Sequence, residues 1–236
     1  MKRILLALTA TILVIGLTPS GAFAVSIGLL DTFQNGTTNN WFAGGLGLGQ
    51  FPPFPPTVIP TGGPTGAGDQ FLQITGTGLA NQPGSRIVAI NGAQWAGNYL
   101  ASGVAAIEMD LKNFGQTVLT IRLLFEDPLG APPADQAVTN FGAVLPVGGG
   151  WTHFVFPVSP ANLTPIVGNP TTALSNATLI RIIDSPTPTD AVTIAGVVGV
   201  DNIRAATVPE SSSVLLITFA LISLGGVYRR RSARLK

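Results

Sequence analysis

Residues 117–125 read Thr-Val-Leu-Thr-Ile-Arg-Leu-Leu-Phe. Successive side chains of an extended chain point to opposite sides, so Leu119, Ile121, Leu123 and Phe125 share one face. That period of two predicts a half-buried strand. The same texture recurs on both sides of it, at Gln70–Thr75, Arg86–Ile90, Val104–Leu111, Ala137–Leu145, Trp151–Val158, Ala177–Ile183 and Val192–Arg204, in runs separated by Gly, Pro or Asn. With a first strand near Ser26–Phe33 this makes about nine short strands and no sustained helical periodicity. The prediction is an all-β chain folded as an antiparallel β-sandwich. One helical turn is expected, where Ser159 caps Pro160 and the chain runs on to Leu163.

The segment Gly44–Gly68 (GGLGLGQFPPFPPTVIPTGGPTGAG) has no charged residue and is dense in Gly and Pro. It reads as a long loop inserted between the first and second strands. Its glycines do not make a phosphate-binding loop, because the prolines stand where a helix would have to start.

The two ends are a different material. Met1-Lys2-Arg3 precedes an apolar run, then Pro19-Ser20-Gly21 and the small-residue pattern Ala22-Phe23-Ala24. A basic start, a short apolar stretch and an A-x-A site predict a signal peptide over 1–24. At the other end, Val214–Tyr228 is almost wholly apolar and is followed by Arg229, Arg230 and Arg231. As a helix this run spans about 22 Å, and flanking residues with snorkelling arginines extend it toward the membrane thickness. A transmembrane helix over 212–228 is expected, its basic tip cytoplasmic and the preceding domain exported.

Between 25 and 207 lie five basic and ten acidic residues, a balance of −5. A net negative domain repels phosphate backbones, which argues against a nucleic-acid partner. The chain has no cysteine, excluding disulfide staples, thiol catalysis and thiolate metal sites. A domain of this length can bury its own core without staples.

The order Val208-Pro209-Glu210, apolar helix, arginine cluster over 208–236 resembles the PEP-CTERM sorting signal of Gram-negative bacteria. The resemblance implies processing by a membrane transpeptidase of the exosortase class after secretion. Localisation would then pass from an inner-membrane anchor to the cell surface or extracellular matrix. Ser211 stands where that family usually has a second proline, so cleavage of the tail stays open.

A second resemblance rests on Leu29–Gly44 (LLDTFQNGTTNNWFAG) and the closing Gly199–Ala205 (GVDNIRA). The pair is similar to carbohydrate-binding-module jelly rolls of the galactose-binding-like type, whose first and last strands lie side by side. That likeness implies a jelly-roll-like sandwich and a structural calcium, with Asp31 and Asp201 as the residues to examine. Two carboxylates supply only part of a shell of six to eight oxygens.

Catalytic readings are thin. The single histidine, His153, lies in a strand with Trp151 and Val155 on its face, and no G-x-S-x-G elbow accompanies it. Glu108-Met109-Asp110-Leu111-Lys112-Asn113 approaches the E-x-D-x-x-E of laminarinase-type glycosidases. Asn113 replaces the second glutamate, however, and cannot serve as an acid. Alternation turns Glu108 and Asp110 toward solvent.

For sugar recognition the eye falls on Asn91–Tyr99. There Trp95 and Tyr99 would stack on a glycan, with Gln94 and Asn98 as polar partners. Trp41 and Trp151 read as packing residues. The expectation is a non-catalytic, exported protein that associates with extracellular polysaccharide. The alternative is a structural surface protein that self-associates without glycan recognition, and a glycoside hydrolase is the third reading.

Overall fold

The computed structural model describes residues 24–43, 55–128 and 132–207. The expected signal peptide with Ala22, the sorting motif, the transmembrane helix and the terminal arginines lie outside these residues. Among the described residues no helix is long and apolar enough to cross a membrane.

Described in chain order, the strands are β1 (Leu30–Asp31), β2 (Thr57–Ile59), β3 (Phe71–Thr77), β4 (Val88–Asn91), β5 (Ala106–Asn113) and β6 (Leu119–Asp127). They continue with β7 (Asp135–Thr139), β8 (Ala143–Leu145), β9 (Thr152–Pro157), β10 (Leu163–Val167), β11 (Leu179–Asp184) and β12 (Ala195–Ala206). A helical turn at Pro160–Asn162 and one short helix, α1 (Pro170–Ser175), join them.

Two antiparallel sheets form the sandwich. The first runs β2-β3-β12-β5-β9, with β1 also on β12; the second runs β10-β7-β6-β11-β4, with β8 also on β6. The chain crosses between layers from β3 to β4, β4 to β5 and β5 to β6, so the hydrophobic period of two in each strand meets a facing layer. Leu119, Ile121, Leu123 and Phe125 of β6 are buried against Ile107, Met109 and Leu111 of β5 and Val198 and Val200 of β12, within one core. Fully burying each such side chain contributes roughly 1.5–3 kcal/mol. Val25 belongs to this core, and its N–H donates to the Ala96 carbonyl at 2.9 Å.

The opposite face of β6 is buried too, which alternation alone does not predict. Leu124, Val138, Ile183 and Ala191 form a second small cluster there. Arg122 donates to the carbonyls of Ser185, Thr139, Asn140 and Pro186, holding the turns after β7 and β11 onto that face.

Three expectations need correction. Segment 44–68 is not all loop: Thr57–Ile59 pairs with Phe71–Gln73 as β2. The run Ala137–Leu145 is two strands, broken where Gly142 packs so closely on Thr120 and Arg122 that a Cβ would meet them at 2.7–2.8 Å. The first strand is only Leu30–Asp31, because Phe33 already turns left-handed at φ 58.

Candidate functional site

The loop from β1 back to the core is built by its asparagines. Asn35 Oδ1 accepts from the Thr37 N–H at 2.9 Å, a side-chain turn suited to Asn-Gly-Thr. Asn39 and Asn40 both adopt left-handed backbone, at φ 48 and 63, which asparagine tolerates better than other L-residues with a Cβ. Trp41 then re-enters the core, fully buried. Its indole N–H reaches Asp31 Oδ2 at 2.8 Å, and the Trp95 indole N–H reaches the same oxygen at 2.7 Å.

Gln94 joins this anchor to the loop. Its Nε2 donates to the Asn39 carbonyl at 2.5 Å and approaches Asp31 Oδ2 at 3.3 Å, while its Oε1 accepts from Asn40 Nδ2 at 3.0 Å. Asn91 adds a second amide donor to the Asn39 carbonyl at 3.0 Å.

The outcome is an open cleft of about 850 Å³ at the rim of the sandwich, lined by Thr37–Phe42, Gly92, Ala93, Thr178 and Leu179. No lining residue is charged. A smaller depression of about 620 Å³ shares Asn39, Asn40 and Ala93 and includes Asp31 and Gln94. Beyond Leu179, the next residue of β11 on the same face is Arg181. It pairs with buried Glu126 at 2.5 Å, and Gln136 Nε2 donates to that carboxylate at 2.6 Å. Glu126 Oε2 and Arg181 Nε are buried without a partner among the described residues.

Trp95 and Tyr99 are not a stacking platform. Both are fully buried, since Gly97 pairs with Ala177 and folds the loop over them. The Tyr99 hydroxyl donates to the Trp95 carbonyl at 2.7 Å, and burial pushes its phenol far above the ordinary range. Asn98 is exposed but caps its own turn, accepting from Ala101 N–H at 2.8 Å. Of the four residues named for sugar contact, only Gln94 stands beside the cleft. Asn39 and Asn40 were missed, although the run Asn-Gly-Thr-Thr-Asn-Asn-Trp already announced a turn rich in free amides.

The Asp31–Asp201 pair does not fit one shared calcium. Asp31 is paired with Ile203, whose side chain faces the core, and its carboxylate is occupied by N–H donors. Asp201 is paired with Asp110 on the outward face of the same sheet. A sheet separates the two. Asp201 by itself does fit a cation in one respect, because its Oδ2 is buried and unpartnered. Its neighbours are committed: Asp110 contacts His153 Nδ1 at 3.0 Å and accepts from Asn202 Nδ2 at 2.7 Å. Asp69 accepts from Gln34 and from Thr65 N–H. Among the described residues no group of three His, Asp or Glu side chains is placed to hold a metal ion.

Glu108 and Asp110 lie outward as alternation predicts, with Met109 and Leu111 buried between and beyond them. Asn113 bridges carbonyls, donating to Thr117 at 2.8 Å and Leu145 at 3.1 Å.

No protein-family model matches the sequence, and no curated protein matches it. Solved structures share its fold. An exo-β-agarase superimposes with a TM-score of 0.53 at 15% identity, over 80% of this chain but only 26% of the agarase, so the likeness spans about a quarter of that enzyme. A family 11 carbohydrate-binding module from Clostridium thermocellum, in complex with a β-1,3-1,4-mixed-linked tetrasaccharide, gives 0.50 at 15% identity, over 78% of this chain and 96% of the module. The family 11 module of a cellulosomal cellulase of the same organism gives 0.50 at 16%, over 80% and 98%. The chain thus has the β-sandwich fold of these carbohydrate-binding modules.

Proposed function

We propose that residues 25–207 are a non-catalytic polysaccharide-binding domain of an exported protein, with the rim cleft as its binding site. The observation that carries the reading is the cleft wall: consecutive amide side chains, Asn39 and Asn40, held in place yet retaining hydrogen-bonding groups, in a fold shared with glycan-binding modules. Sugar hydroxyls both donate and accept, and amides answer both roles. Each such bond contributes about 0.5–1.5 kcal/mol net, so three of them supply at most about 4.5 kcal/mol and give weak binding, with a dissociation constant on the order of 1 mM or above.

The ends of the chain supply the setting in this reading. The leader with Ala22 and Ala24 directs export through the secretion machinery. The tail from Val208 delivers the domain to an exosortase-type enzyme at the inner membrane, and then to the surface matrix. Calcium in this reading narrows to Asp201.

Affinity electrophoresis of the intact chain in mild detergent tests the binding. Gels containing the producing cell's exopolysaccharide should retard it, and Asn39→Ala with Asn40→Ala should restore normal mobility. Unchanged mobility of the unaltered chain would remove the glycan reading. One observation favours self-association instead: β9 ends its sheet among the described residues, with exposed Thr152 and His153 and no lysine to protect the edge. Concentration-dependent sedimentation in sugar-free buffer, abolished by Thr152→Pro, is the outcome that reading requires.

A further inference from the structure

We infer that the cleft selects uncharged saccharides through their hydroxyl edges, and that Gln94 is the positioning residue that decides how Asn40 presents its amide. The inference rests on the polysaccharide-binding reading and adds the ligand class and the means of selection.

The hydrogen-bond inventory of the wall is specific. Asn39 Oδ1 already accepts from Asn35 Nδ2 at 2.8 Å and Thr37 Oγ1 at 2.9 Å, which leaves its amide nitrogen as a donor. Asn40 is committed the other way. One of its N–H groups goes to Gln94 Oε1, leaving its Oδ1 as an acceptor. Neighbouring residues therefore offer donors from the Asn39 amide nitrogen and an acceptor, with one remaining N–H, from Asn40, which together complement a pair of adjacent hydroxyls.

Gln94 cannot reverse its amide without loss. Its Nε2 faces the Asn39 carbonyl and Asp31 Oδ2, both acceptors, so Oε1 must face Asn40. The buried carboxylate thus fixes the glutamine, and the glutamine fixes Asn40.

Charge works in the same direction. The lining has no cation, and Arg181, which follows Leu179 on the same face of β11, is already held by Glu126. A uronate or sulfate would enter with no counter-charge and with Asp31 standing behind Gln94. Aromatic surface is scarce inside the cleft, since Trp41 is only 1% exposed and the other ring of the lining, Phe42, is half-buried. The polar wall favours recognition of hydrated neutral chains by their edges, with Phe42 as the one ring in the lining that keeps some exposure.

The test is affinity electrophoresis of the intact chain in mild detergent against three probes: a neutral mixed-linked β-glucan, alginate as a polyuronate, and carrageenan as a sulfated galactan. Retardation by the neutral glucan alone, unaffected by 0.3 M salt (where the Debye length lies between about 3 and 8 Å, so exposed charge contacts are screened), is the expected result. Retardation by alginate or carrageenan that salt removes overturns the inference while leaving the glycan-binding reading intact. Retardation by none of the three overturns the inference, and the glycan-binding reading falls with it only when the producing cell's exopolysaccharide also leaves the mobility unchanged.

Two variants read the mechanism. Asn40→Asp converts the mixed amide into an acceptor-only carboxylate, so binding should fall about tenfold at pH 7 and recover as pH drops below about 4. Gln94→Ala frees Asn40 and should weaken binding about fivefold, on the order of a lost hydrogen bond, with the melting temperature of the domain nearly unchanged. A pH-independent Asn40→Asp, or a Gln94→Ala that loses stability and binding together, contradicts the positioning role.

Discussion

Asp31 and Trp95 stand 64 residues apart in sequence and are joined by a 2.7 Å hydrogen bond from the indole nitrogen to the carboxylate Oδ2. The same oxygen takes the Trp41 indole at 2.8 Å, so one buried carboxylate holds two core tryptophans whose ring centroids are 6.2 Å apart. A carboxylate in this position is an internal clamp. It ties the strand that opens the domain to both loops that border the cleft.

Asp31→Ala removes that acceptor and strands two buried indole N–H groups. The expected loss is about 3–5 kcal/mol, from two charge-assisted bonds and the unsatisfied donors they leave. Urea denaturation followed by tryptophan fluorescence measures it. Asp31→Asn keeps one carbonyl oxygen and should lose about half as much. Equal stability of all three proteins would show that the carboxylate does not hold the tryptophans.

Glu126 and Arg181 carry a different kind of risk. The carboxylate is wholly buried and its Oε1 serves both Arg181 and Gln136. Glu126→Ala leaves the partly buried guanidinium without its counter-charge, and truncating one partner of such a pair costs about 3–5 kcal/mol. Replacing both at once, Glu126→Leu with Arg181→Met, should recover most of the loss. A double-mutant cycle on denaturation midpoints checks this, and a double variant as unstable as Glu126→Ala would refute the pairing as its cause.

The sandwich was legible because its signal is local. Leu119, Ile121, Leu123 and Phe125 announce their face by spacing alone, and burial follows. The helix α1 also has a local signal, an asparagine cap before a proline at the first helical position. Asn169 precedes Pro170, and in the structure Asn169 Oδ1 caps Thr171 N–H at 2.8 Å. The cleft was harder to see, for a physical reason. A tryptophan in a polar, Gly-broken loop looks exposed until one knows that Asp31, far off in sequence, draws its N–H inward. Likewise Asp31 and Asp201 look like partners in a first-and-last-strand likeness, and only the strand register puts them on opposite faces of a sheet. Pairwise distances across the fold decide both questions, and a single strand's pattern does not contain them.

Gly199 sits in the middle of β12, where a side chain would ordinarily point outward. Instead the rings of Phe114, Trp151 and Phe71 close over it, and an added Cβ would meet them at 2.6, 2.7 and 3.1 Å. Phe71 and Phe114 are stacked with centroids 5.2 Å apart, and the Trp151 indole is tied to the Gly62 carbonyl at 2.9 Å. Gly199→Ala should therefore displace the rings and cost about 1–3 kcal/mol by overpacking. Circular dichroism in the aromatic region reports the displaced rings directly. An unchanged aromatic spectrum with an unchanged melting point would show that the cluster yields freely.

Asp201 gives the domain a stability that depends on pH. Burial pushes its carboxyl up to about 7, the Asn202 N–H pulls it partly back, and Asp69 and Asp110 add to the rise. The unfolded carboxyl titrates near the ordinary value of about 3.9. Between those two values the folded state holds a proton that the unfolded state has lost, so stability falls as pH rises from about 4 to about 7. In chelator, the melting temperature at pH 5 should exceed that at pH 8 by about 5–10 °C, an effect of about 2–3 kcal/mol in a domain of this size. Asp201→Asn should flatten the profile and raise the melting temperature at pH 8, because the neutral amide lacks the buried charge. A calcium ion on the unpartnered Oδ2 would act oppositely, stabilising the ionised form at pH 8 by mass action in the unaltered protein and not in Asp201→Asn. Melting curves of both proteins at both pH values, with calcium and with chelator, separate the proton from the ion. A profile equally flat in both proteins under all four conditions would mean that Asp201 is neither strained by burial nor relieved by a cation.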